Sequence, residues 1–480
     1  MNPLYLIVIS KTLPVQIRSA YHYSLSNDAS QLNVSVMNPI FSKAEPITLL
    51  TQLNLFLNDL VIENTNSSSN GGCFSFCDQG WRSPRVQILN SSFSESNSIQ
   101  NGGCIYINGG SLLQIESTSF YKSNANNGGS LYFENAKFVR IEQTVFQESF
   151  SSSNGGAISC NLYGNLTIHE CMFQNCHSNT YGGALYIHRP IFSDCYVERS
   201  LFNDCSSFSG GAIYASMNNN GRCDFNMICG YNCYVKNVLG MGCFAFVLGI
   251  NSDDKVNVLY CSVVSCGNGF GKGTMFFNNS LQEISNINLS LNNVYQNGAI
   301  QVDYSEGFSV KFTNFYRNFV ANTNLVSING LIATSGTFIY LNVVNNTVPL
   351  NGVIFFHSSN KCYLYIQYSY LLGNIGILFM SNLNHYFIGI KNCYIQHNYS
   401  MTSKLFVSWE MVYTRLSLTE THIISHYSTF KCYTPEQFGE IPCQTLNTPC
   451  EFETLTQESL SIVSLFSVAS ISLILISSNT

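Results

Sequence analysis

The chain has 480 residues, of which 21 are Lys or Arg and 27 are Asp or Glu, so only 10% are charged. An average soluble domain has roughly 25% charged residues. The net charge of −6 argues against a nucleic-acid-binding protein, which needs a clustered basic face. Hydrophobic residues make up 45% of the chain, which excludes disorder for most of it. A multipass membrane protein is excluded as well, because the one long uncharged run lies at the extreme C-terminus.

Residues 1–69 are predicted to form an N-terminal cap and the irregular first rungs of a solenoid, where one rung is one turn of the chain. They contain alternating stretches such as Leu53 to Leu57 but lack the glycine motif found downstream. A solenoid needs caps, because an open end exposes apolar side chains and unpaired strand edges. The apolar run from Leu4 to Ile9 fits either a strand of this cap or a short signal peptide.

Residues 70–430 are predicted to form a repeat array, in which the first of two motifs is an Asn-Gly-Gly step. Gly gives positive φ at little steric cost, so the chain can turn sharply there. Close copies begin at Asn70, Asn101, Asn127, Asn154, Tyr181 and Ser209, and weaker copies lie at Gly242, Gly273, Gly298, Gly330, Gly352 and Gly376. A small residue followed by a large apolar one comes after the glycines, which is typical of a strand with one buried face. The large residues are Phe74, Ile105, Leu131, Ile158, Leu185, Ile213, Phe244, Met275, Ile300, Ile332, Ile354 and Leu378.

The second motif runs in phase with the first and begins with Phe. Its clear copies end at Ser96, Ser123, Ser149, Cys176, Cys205 and Asn318, and degenerate forms end at Cys266, Asn297, Asn346, Asn374 and Asn398. We expect the Asn and Ser side chains to form hydrogen-bonding ladders inside the turns. A Cys fits the same position because its thiol is small and easily buried.

A repeat of about 27 residues with two or three short strands predicts an all-β fold, a right-handed parallel β-helix of about 12 to 13 rungs. Equivalent residues should then stack at about 4.8 Å, and Ile105, Leu131, Ile158 and Leu185 should lie along a common axis. Helical repeats are disfavoured because no segment of the array keeps a 3.6-residue period. A β-propeller is disfavoured because each blade needs about 40 residues.

The C-terminal part divides into two segments. Residues 431–458, with Cys432, Cys443 and Cys450 among prolines, are interpreted as a stalk or cap. Residues 459–480 carry no charge and fit a membrane span, a cleaved lipid-anchor signal or a last apolar strand. A membrane-related tail is the favoured interpretation.

The sequence predicts no catalytic, cofactor-binding or metal site. Cys223, Cys229 and Cys233 have no accompanying pair of ligands at zinc-site spacing, so buried thiols or local disulfides are expected. The glycine-rich stretch from Gly267 to Gly273 lacks the spacing of a phosphate loop and is interpreted as a wide turn. Asp253-Asp254-Lys255 is the only tight polar cluster, and the basic residues are spread too thinly to predict a groove for acidic polysaccharides.

Tyrosines recur one position after the large apolar residue, at Tyr106, Tyr132, Tyr186 and Tyr214. Exposed tyrosines suit a binding surface, but ordinary stacking between rungs is the favoured interpretation. The 19 cysteines and the N-x-S/T triplets fit a secreted glycoprotein. These triplets begin at Asn33, Asn66, Asn90, Asn165, Asn278, Asn288, Asn345 and Asn398.

The Gly-Gly-Ala-Ile and Gly-Gly-Ala-Leu steps ending at Ile158, Leu185 and Ile213, together with the Phe-x-x-Asn step from Phe315 to Asn318, resemble the repeat of the chlamydial polymorphic outer-membrane proteins. Similar repeats occur in surface proteins of parasitic protists. The resemblance implies a surface-exposed β-helix with a role in adhesion and no inherited catalytic residue. We therefore expect a non-enzymatic, surface-anchored protein that contacts host cells or glycans and binds no nucleic acid. The alternative is a carbohydrate-active β-helix enzyme, which predicts outward-facing carboxylates with Lys or Arg on one face.

Overall fold

The computed structural model describes most of the repeat array. The described residues are 22–25, 31–35, 40–42, 47–49, 54–77, 85–109, 112–162, 164–188, 194–218, 220–251, 253–304, 307–330, 335–348, 352–359, 363–381, 387–396, 402–403, 406–413 and 432. All their regular elements are strands, joined by in-register parallel pairing into a β-solenoid with a repeat of about 27 residues. The predicted all-β parallel solenoid is confirmed.

The strand that follows the glycine step gives one sheet of 14 strands. About 11 turns are complete, and incompletely described turns at the two ends add the remaining strands. The strands are Ile47–Leu49, Phe74–Cys77, Ile105–Asn108, Leu131–Glu134, Ile158–Asn161, Leu185–His188, Ile213–Met217, Ala245–Gly249, Met275–Asn278, Ile300–Asp303, Asn324–Gly330, Val353–Ser359, Ile377–Ser381 and Thr402–Ser403. We call this the glycine-step sheet.

The second and third strands of each rung belong to one sheet of 26 strands. The second strands are Gln31–Ser35, Asn54–Asn58, Arg85–Leu89, Leu112–Glu116, Phe138–Glu142, Asn165–His169, Asp194–Glu198, Arg222–Asn226, Lys255–Leu259 and Tyr363–Gln367. The third strands are Ile40–Ser42, Val61–Glu63, Ser92–Ser94, Ser119–Tyr121, Val145–Gln147, Met172–Gln174, Leu201–Asn203, Cys229–Tyr231, Ser262–Val264 and Tyr370–Leu372. In later rungs the two merge, as Leu281–Ser290, Gly307–Tyr316, Ser335–Val344, Phe387–Gln396 and Phe406–Tyr413. His22–Leu25 completes this sheet.

A fourth, two-residue strand closes each early rung, which is more than the two or three strands predicted. These strands are Asn66–Ser67, Asn97–Ser98, Asn124–Ala125, Phe150–Ser151, His177–Ser178, Ser206–Ser207 and Tyr234–Val235. Farther along, Asn293–Gln296 pairs with Phe319–Asn322 instead.

The interior is filled by columns of apolar side chains. Ile105, Leu131, Ile158 and Leu185 pair in register and are fully buried, as predicted. A second column stacks Phe rings face to face, with centroids 4.8 to 5.0 Å apart, from Phe93 through Phe120, Phe146 and Phe173 to Phe202. The stack ends at the next rung, where Gly230 takes the Phe position and the ring of Phe244 packs against Phe202. Each stacked pair adds about 0.5–1.5 kcal/mol beyond the burial of its area.

A predicted ladder of asparagines lines one inner corner of the solenoid, whereas the serines at this position bond within their own rung, Ser123 to Cys104 and Ser149 to Ser130. We call this position the corner slot, and it holds Thr65, Ser96, Ser123, Ser149, Cys176, Cys205, Cys233, Cys266, Asn292, Asn318, Asn346 and Asn374. The Nδ2 of Asn292 donates to Oδ1 of Asn318, and the same bond links Asn318 to Asn346 and Asn346 to Asn374, at 2.9 to 3.0 Å. Cys176, Cys205 and Cys266 occupy the slot as predicted, and Cys233 joins them.

The two glycines of the repeated step have different roles. Gly155 has a φ of +65°, the left-handed region expected of a turn glycine. Gly156 has no positive φ, but a Cβ placed on it would lie 1.9 Å from the carbonyl oxygen of Gly183 in the next rung. The second glycine is therefore needed for close backbone approach, a reason that the sequence analysis did not give.

The register departs from the predicted one in the weaker copies. Ala245, Phe355 and Phe379 occupy the column predicted for Phe244, Ile354 and Leu378. Gly330 ends a strand instead of opening a turn, and Val326 takes the column position predicted for Ile332, which is outside the described residues. The corner slot assigned to Asn297 is filled by Asn292. In these rungs the spacings vary and single glycines replace the full motif. The column and corner-slot positions predicted from the sequence are therefore wrong by a few residues.

Parallel pairing already begins inside the predicted cap, since Gln31–Ser35 pairs with Asn54–Asn58. His22–Leu25 pairs antiparallel with Gln31–Ser35, an arrangement that covers the strand edge as a cap must. The run from Leu4 to Ile9 lies outside the described residues, as do 459–480 and all of 431–458 except Cys432.

Candidate binding surfaces

The predicted tyrosines lie on the outer face of the glycine-step sheet. The ring centroids of Tyr106 and Tyr132 are 5.6 Å apart, and those of Tyr186 and Tyr214 are 5.4 Å apart. The hydroxyl of Tyr106 donates a hydrogen bond to Oε2 of Glu134 in the next rung, at 3.1 Å. Tyr106 is only 6% exposed and Tyr214 only 8%, so stacking between rungs, the favoured interpretation, describes these two residues. Burial raises the pKa of Tyr132 to about 12, so its hydroxyl stays neutral.

The aromatic column continues to Phe246 and Phe276, which with Tyr214 form a small cluster outside the main core. Tyr181, Tyr186, Met241 and Leu248 pack against it. Its three central rings are buried, so this cluster braces the outside of the sheet and offers little free ring surface.

A charged surface covers the outer face of the second strands, and the sequence analysis did not predict it. Glu116, Glu142, His169 and Glu198 follow one another at the last strand position in successive rungs. Neighbouring strand positions add Arg140, Asp194, Arg222, Asp224 and Lys255. The spacings of 26, 27 and 29 residues from Glu116 through Glu142 and His169 to Glu198 were the available signal. We call this the charged face.

Two carboxylates of the charged face are paired with arginines. Arg140 lies 2.6 Å from Glu142, and Arg222 lies 2.7 Å from Asp224. In the turn that follows, Arg199 lies 3.2 Å from Glu170. Exposed pairs of this kind contribute about 0–1 kcal/mol each and are typical of a solvated face. Among the described residues, no group of three or more His, Cys, Asp or Glu could hold a metal ion.

Aromatic residues also stack at an outer turn between the second and third strand positions. Phe312, Tyr340 and Tyr368 lie one above another, with ring centroids 4.8 and 5.2 Å apart. Their φ values are +48°, +59° and +49°. A positive φ is rare for bulky side chains and costs about 1–2 kcal/mol per residue. We call these three residues the turn-aromatic column.

The turn-aromatic column is accessible and carries few charges. Tyr368 is 36% exposed and the neighbouring Tyr365 is 38% exposed. Tyr260 occupies the same turn two rungs earlier, also at positive φ and 38% exposed. The spacing of 28 residues from Phe312 to Tyr340 and again to Tyr368 could have revealed the column. Many residues of each rung share this period, so spacing alone does not single out the column.

The three cysteines considered for zinc do not converge. Cys223 faces the interior beside Cys195, and Cys233 lies in the corner slot. Cys229 points outward and forms a disulfide with Cys432, with Cα atoms 5.9 Å apart. The expectation of buried thiols is confirmed for Cys223 and Cys233. The expectation of a local disulfide is wrong for Cys229, because its disulfide spans 203 residues.

The remaining sequence candidates have structural roles. The buried carboxylate of Asp254 accepts hydrogen bonds from the backbone N–H groups of Gly221, Ile250 and Asn251. Gly267, Gly269, Gly271 and Gly273 all have positive φ, as a wide turn requires. The described part of the chain contains no helix that could span a membrane.

One Ser–His pair resembles a nucleophile with its base. The Nδ1 of His177 lies 2.8 Å from the Oγ of Ser206. Ser206 is only 1% exposed, so a substrate could not reach its hydroxyl. The pair is therefore a structural contact between adjacent rungs.

Searches of protein-family models, curated proteins and solved structures found no match to this chain. The resemblance to the polymorphic outer-membrane protein repeat thus stays a prediction from the motifs.

Proposed function

We propose that the chain is a non-enzymatic cell-surface protein whose solenoid presents a ridged outer face to host cells, other cells or glycans. The turn-aromatic column is the observation that carries this proposal. Aromatic residues are enriched in the buried centres of interfaces. The same turn has positive φ at Gln143, Glu170 and Asn286, so the fold does not require aromatic rings there, and a role in contact gives a reason for their presence.

Two further observations support an extracellular setting. The Cys229–Cys432 disulfide fits an oxidising compartment. The glycosylation triplets at Asn66 and Asn90 carry exposed asparagines. Asn288 is fully buried, so its triplet is inaccessible in the folded solenoid. A surface glycoprotein with a membrane-related tail in residues 459–480 is consistent with these features.

The test is binding of the full chain to glycan arrays and to host cells, with a Tyr340→Ala/Tyr368→Ala variant beside it. We expect the variant to lose at least about tenfold in affinity. Phe138→Ala is the matched control, because Phe138 is 52% exposed but lies on the charged face. Equal binding by all three proteins would contradict the role of the turn-aromatic column. An antibody to the array should stain intact cells, and staining only after permeabilisation would contradict the surface location.

The charged face is the observation that favours a second candidate, a carbohydrate-active enzyme. That alternative predicts outward carboxylates with Lys or Arg on one face, and the described second strands carry such a set. Release of reducing sugar from acidic glycans, abolished by Glu142→Gln, would replace the binding proposal with an enzymatic one. Activity that persists in Glu142→Gln would point to a contaminant.

A further inference from the structure

The fourth side of the solenoid, which holds the short fourth strands and closes each rung, changes its charge along the axis. Three earlier segments of this side begin with a carboxylate, at Glu95, Glu148 and Asp204. Four later segments contain no Asp or Glu, and they are 232–241, 265–272, 291–298 and 317–324. Their charged residues are Lys236, Lys272 and Arg317. We call these four segments the acid-free face, which is positive in a chain whose net charge is −6.

The four segments of the acid-free face are neighbours bonded through their backbones. The N–H of Gly267 donates to the carbonyl oxygen of Cys233. The N–H of Gly269 donates to the carbonyl oxygen of Asn293, and Asn293 pairs in turn with Phe319. Three steps of the usual strand spacing, about 14 Å, separate the first segment from the last. The segments therefore form one continuous surface.

Each of the four segments exposes a large apolar side chain. These side chains are Leu239, Phe270, Leu291 and Phe319, and Val238 is exposed beside Leu239. Leu239 is 62% exposed, at the tip of a turn. Single exposed apolar residues are normal on a protein surface, but a contiguous set rimmed by polar residues marks a site of protein or membrane contact. The apolar residues of the acid-free face therefore indicate an interaction surface.

The positive charge of the acid-free face comes mainly from Lys236 and Arg317, which are both exposed. The Nζ of Lys236 donates at 2.9 Å to the carbonyl oxygen of Ser178, and an ammonium group has two further hydrogens to donate. The guanidinium of Arg317 lies 5.1 Å from the ring centroid of Tyr316, which positions it on the surface. The charge of Lys272 acts on a carboxylate of the glycine-step sheet, so Lys272 adds less.

We propose that the acid-free face docks on an anionic lipid membrane. Leu239 and Phe270 enter the boundary between headgroups and acyl chains, while Lys236 and Arg317 contact the negative headgroups. Membrane-surface binding of this kind combines buried apolar area with the attraction of Lys and Arg to anionic lipids. The aliphatic tip of the turn gains from transfer out of water but cannot hydrogen-bond to a sugar, which favours a lipid over an acidic glycan. This inference does not depend on the turn-aromatic column.

Flotation of the full chain tests the proposal with vesicles of phosphatidylcholine alone and of phosphatidylcholine and phosphatidylserine in equal parts. Each Lys or Arg near an anionic surface adds about fivefold in affinity, so we expect binding to the mixed vesicles to be at least about tenfold tighter. Lys236→Gln/Arg317→Gln should remove that preference. Leu239→Ser/Phe270→Ser should weaken binding to the mixed vesicles by at least about tenfold, because two apolar side chains lose their burial.

The matched control is Ile99→Ser/Phe150→Ser, which removes two exposed apolar side chains from the segments of Glu95 and Glu148. We expect this variant to bind like the unsubstituted chain. Equal binding to the two lipid compositions, or equal weakening in the two serine variants, would overturn the proposal. Failure to bind vesicles would overturn it too. Heparin binding lost in Lys236→Gln/Arg317→Gln would then assign the face to an acidic glycan, and a dimer lost in Leu239→Ser/Phe270→Ser would assign it to a second copy.

A second measurement identifies which part of the chain enters the membrane. Leu239→Trp and Ile99→Trp each add a tryptophan at an exposed position of the same side, five rungs apart. In mixed vesicles with brominated acyl chains, the added fluorescence should be quenched in Leu239→Trp and unchanged in Ile99→Trp. Equal fluorescence changes in the two variants would overturn the proposal and assign membrane contact to another part of the chain, such as residues 459–480.

Discussion

The rungs from Cys176 to Cys233 and the rungs from Asn292 to Asn374 stabilise the same inner corner in different ways. In the cysteine rungs, Sγ of Cys176 makes a long contact of 3.6 Å with the carbonyl oxygen of Phe146. Burial raises the pKa of Cys176, so the thiol stays neutral. In the asparagine rungs, Nδ2 of Asn318 donates at 2.8 Å to the carbonyl oxygen of Leu289, and the side chain also bonds to the asparagines above and below.

The Phe column differs between the same two regions. Two of the three cysteine rungs, those of Cys176 and Cys205, share the stack of rings that ends at Phe202, and Gly230 takes that position in the rung of Cys233. The asparagine rungs place Leu289, Phe315 and Val343 in that column. Aromatic stacking thus accompanies weak corner contacts in the first two cysteine rungs, and strong corner hydrogen bonds accompany a mixed apolar column. The stability of a rung can therefore come mainly from the interior column or mainly from the hydrogen bonds of the corner slot. This explains how the repeat sequence varies between rungs while the backbone stays in register.

The largest expected effect is a difference in lost stability between a glycine substitution in the cysteine rungs and one in the asparagine rungs. Gly156→Ala would place Cβ 1.9 Å from the Gly183 carbonyl oxygen, which is backbone and cannot move away. We expect the free energy of unfolding to fall by more than about 4 kcal/mol, or folding to fail. Gly298→Ala meets the Cγ2 of Val320 at 2.3 Å, a side chain that can shift, so about 1–3 kcal/mol is expected. Urea denaturation of both variants checks this, and equal midpoints would contradict the distinction.

Removing the disulfide should have the next largest effect. The disulfide joins Cys229, in a cysteine rung, to Cys432, which follows all the asparagine rungs in the sequence. Cross-links that close loops of this length stabilise proteins by about 2–4 kcal/mol in most cases. We expect Cys229→Ser/Cys432→Ser to lower the unfolding midpoint and to abolish its sensitivity to reductant. Cys233→Ser is the control, since Cys233 is a free buried thiol four residues away. A midpoint that stays sensitive to reductant in the double variant would show that another disulfide carries the effect.

Substitutions in the corner slot itself compare the two regions directly. Asn318→Ala removes four hydrogen bonds, with the backbone N–H and Nδ2 of Asn292, the carbonyl oxygen of Leu289 and the Oδ1 of Asn346, and a loss of about 3 kcal/mol is expected. Cys205→Ala removes only a small apolar group with a weak contact, and about 1 kcal/mol is expected. Thermal unfolding followed by circular dichroism measures both. A larger loss from Cys205→Ala would reverse the proposed division of stability.

The smallest expected effect is a pH dependence confined to the cysteine rungs. Burial, and then the charge of Lys236, lower the pKa of His177, while Asp204 opposes the shift. A lowered pKa in the folded state means that the full stability is present above the unfolded value of about 6.5 and declines as pH falls through the folded value. His177→Gln should reduce the loss of stability between pH 7.5 and pH 5. An unchanged difference between those two pH values would assign the effect to other groups.

The sequence was sufficient to predict the solenoid because the glycine step and the Phe motif repeat in phase. It failed where one motif degenerated, as at Gly330, since several registers then satisfy the apolar pattern. The pairing of Cys229 with Cys432 could not be predicted, because a contact across 203 residues leaves no periodic trace. The turn-aromatic column was predictable in its spacing, but its positive φ is visible only in three dimensions.

In-register stacking has a consequence for how such a chain changes length. Each strand bonds only to the strands of the rungs before and after it, so a whole unit of about 27 residues can be duplicated or deleted without altering any other contact. The length of the solenoid then becomes a heritable variable, adjustable in steps of about 4.8 Å. The Cys229–Cys432 disulfide would limit this freedom between those two residues, so variation in rung number is expected before Cys229.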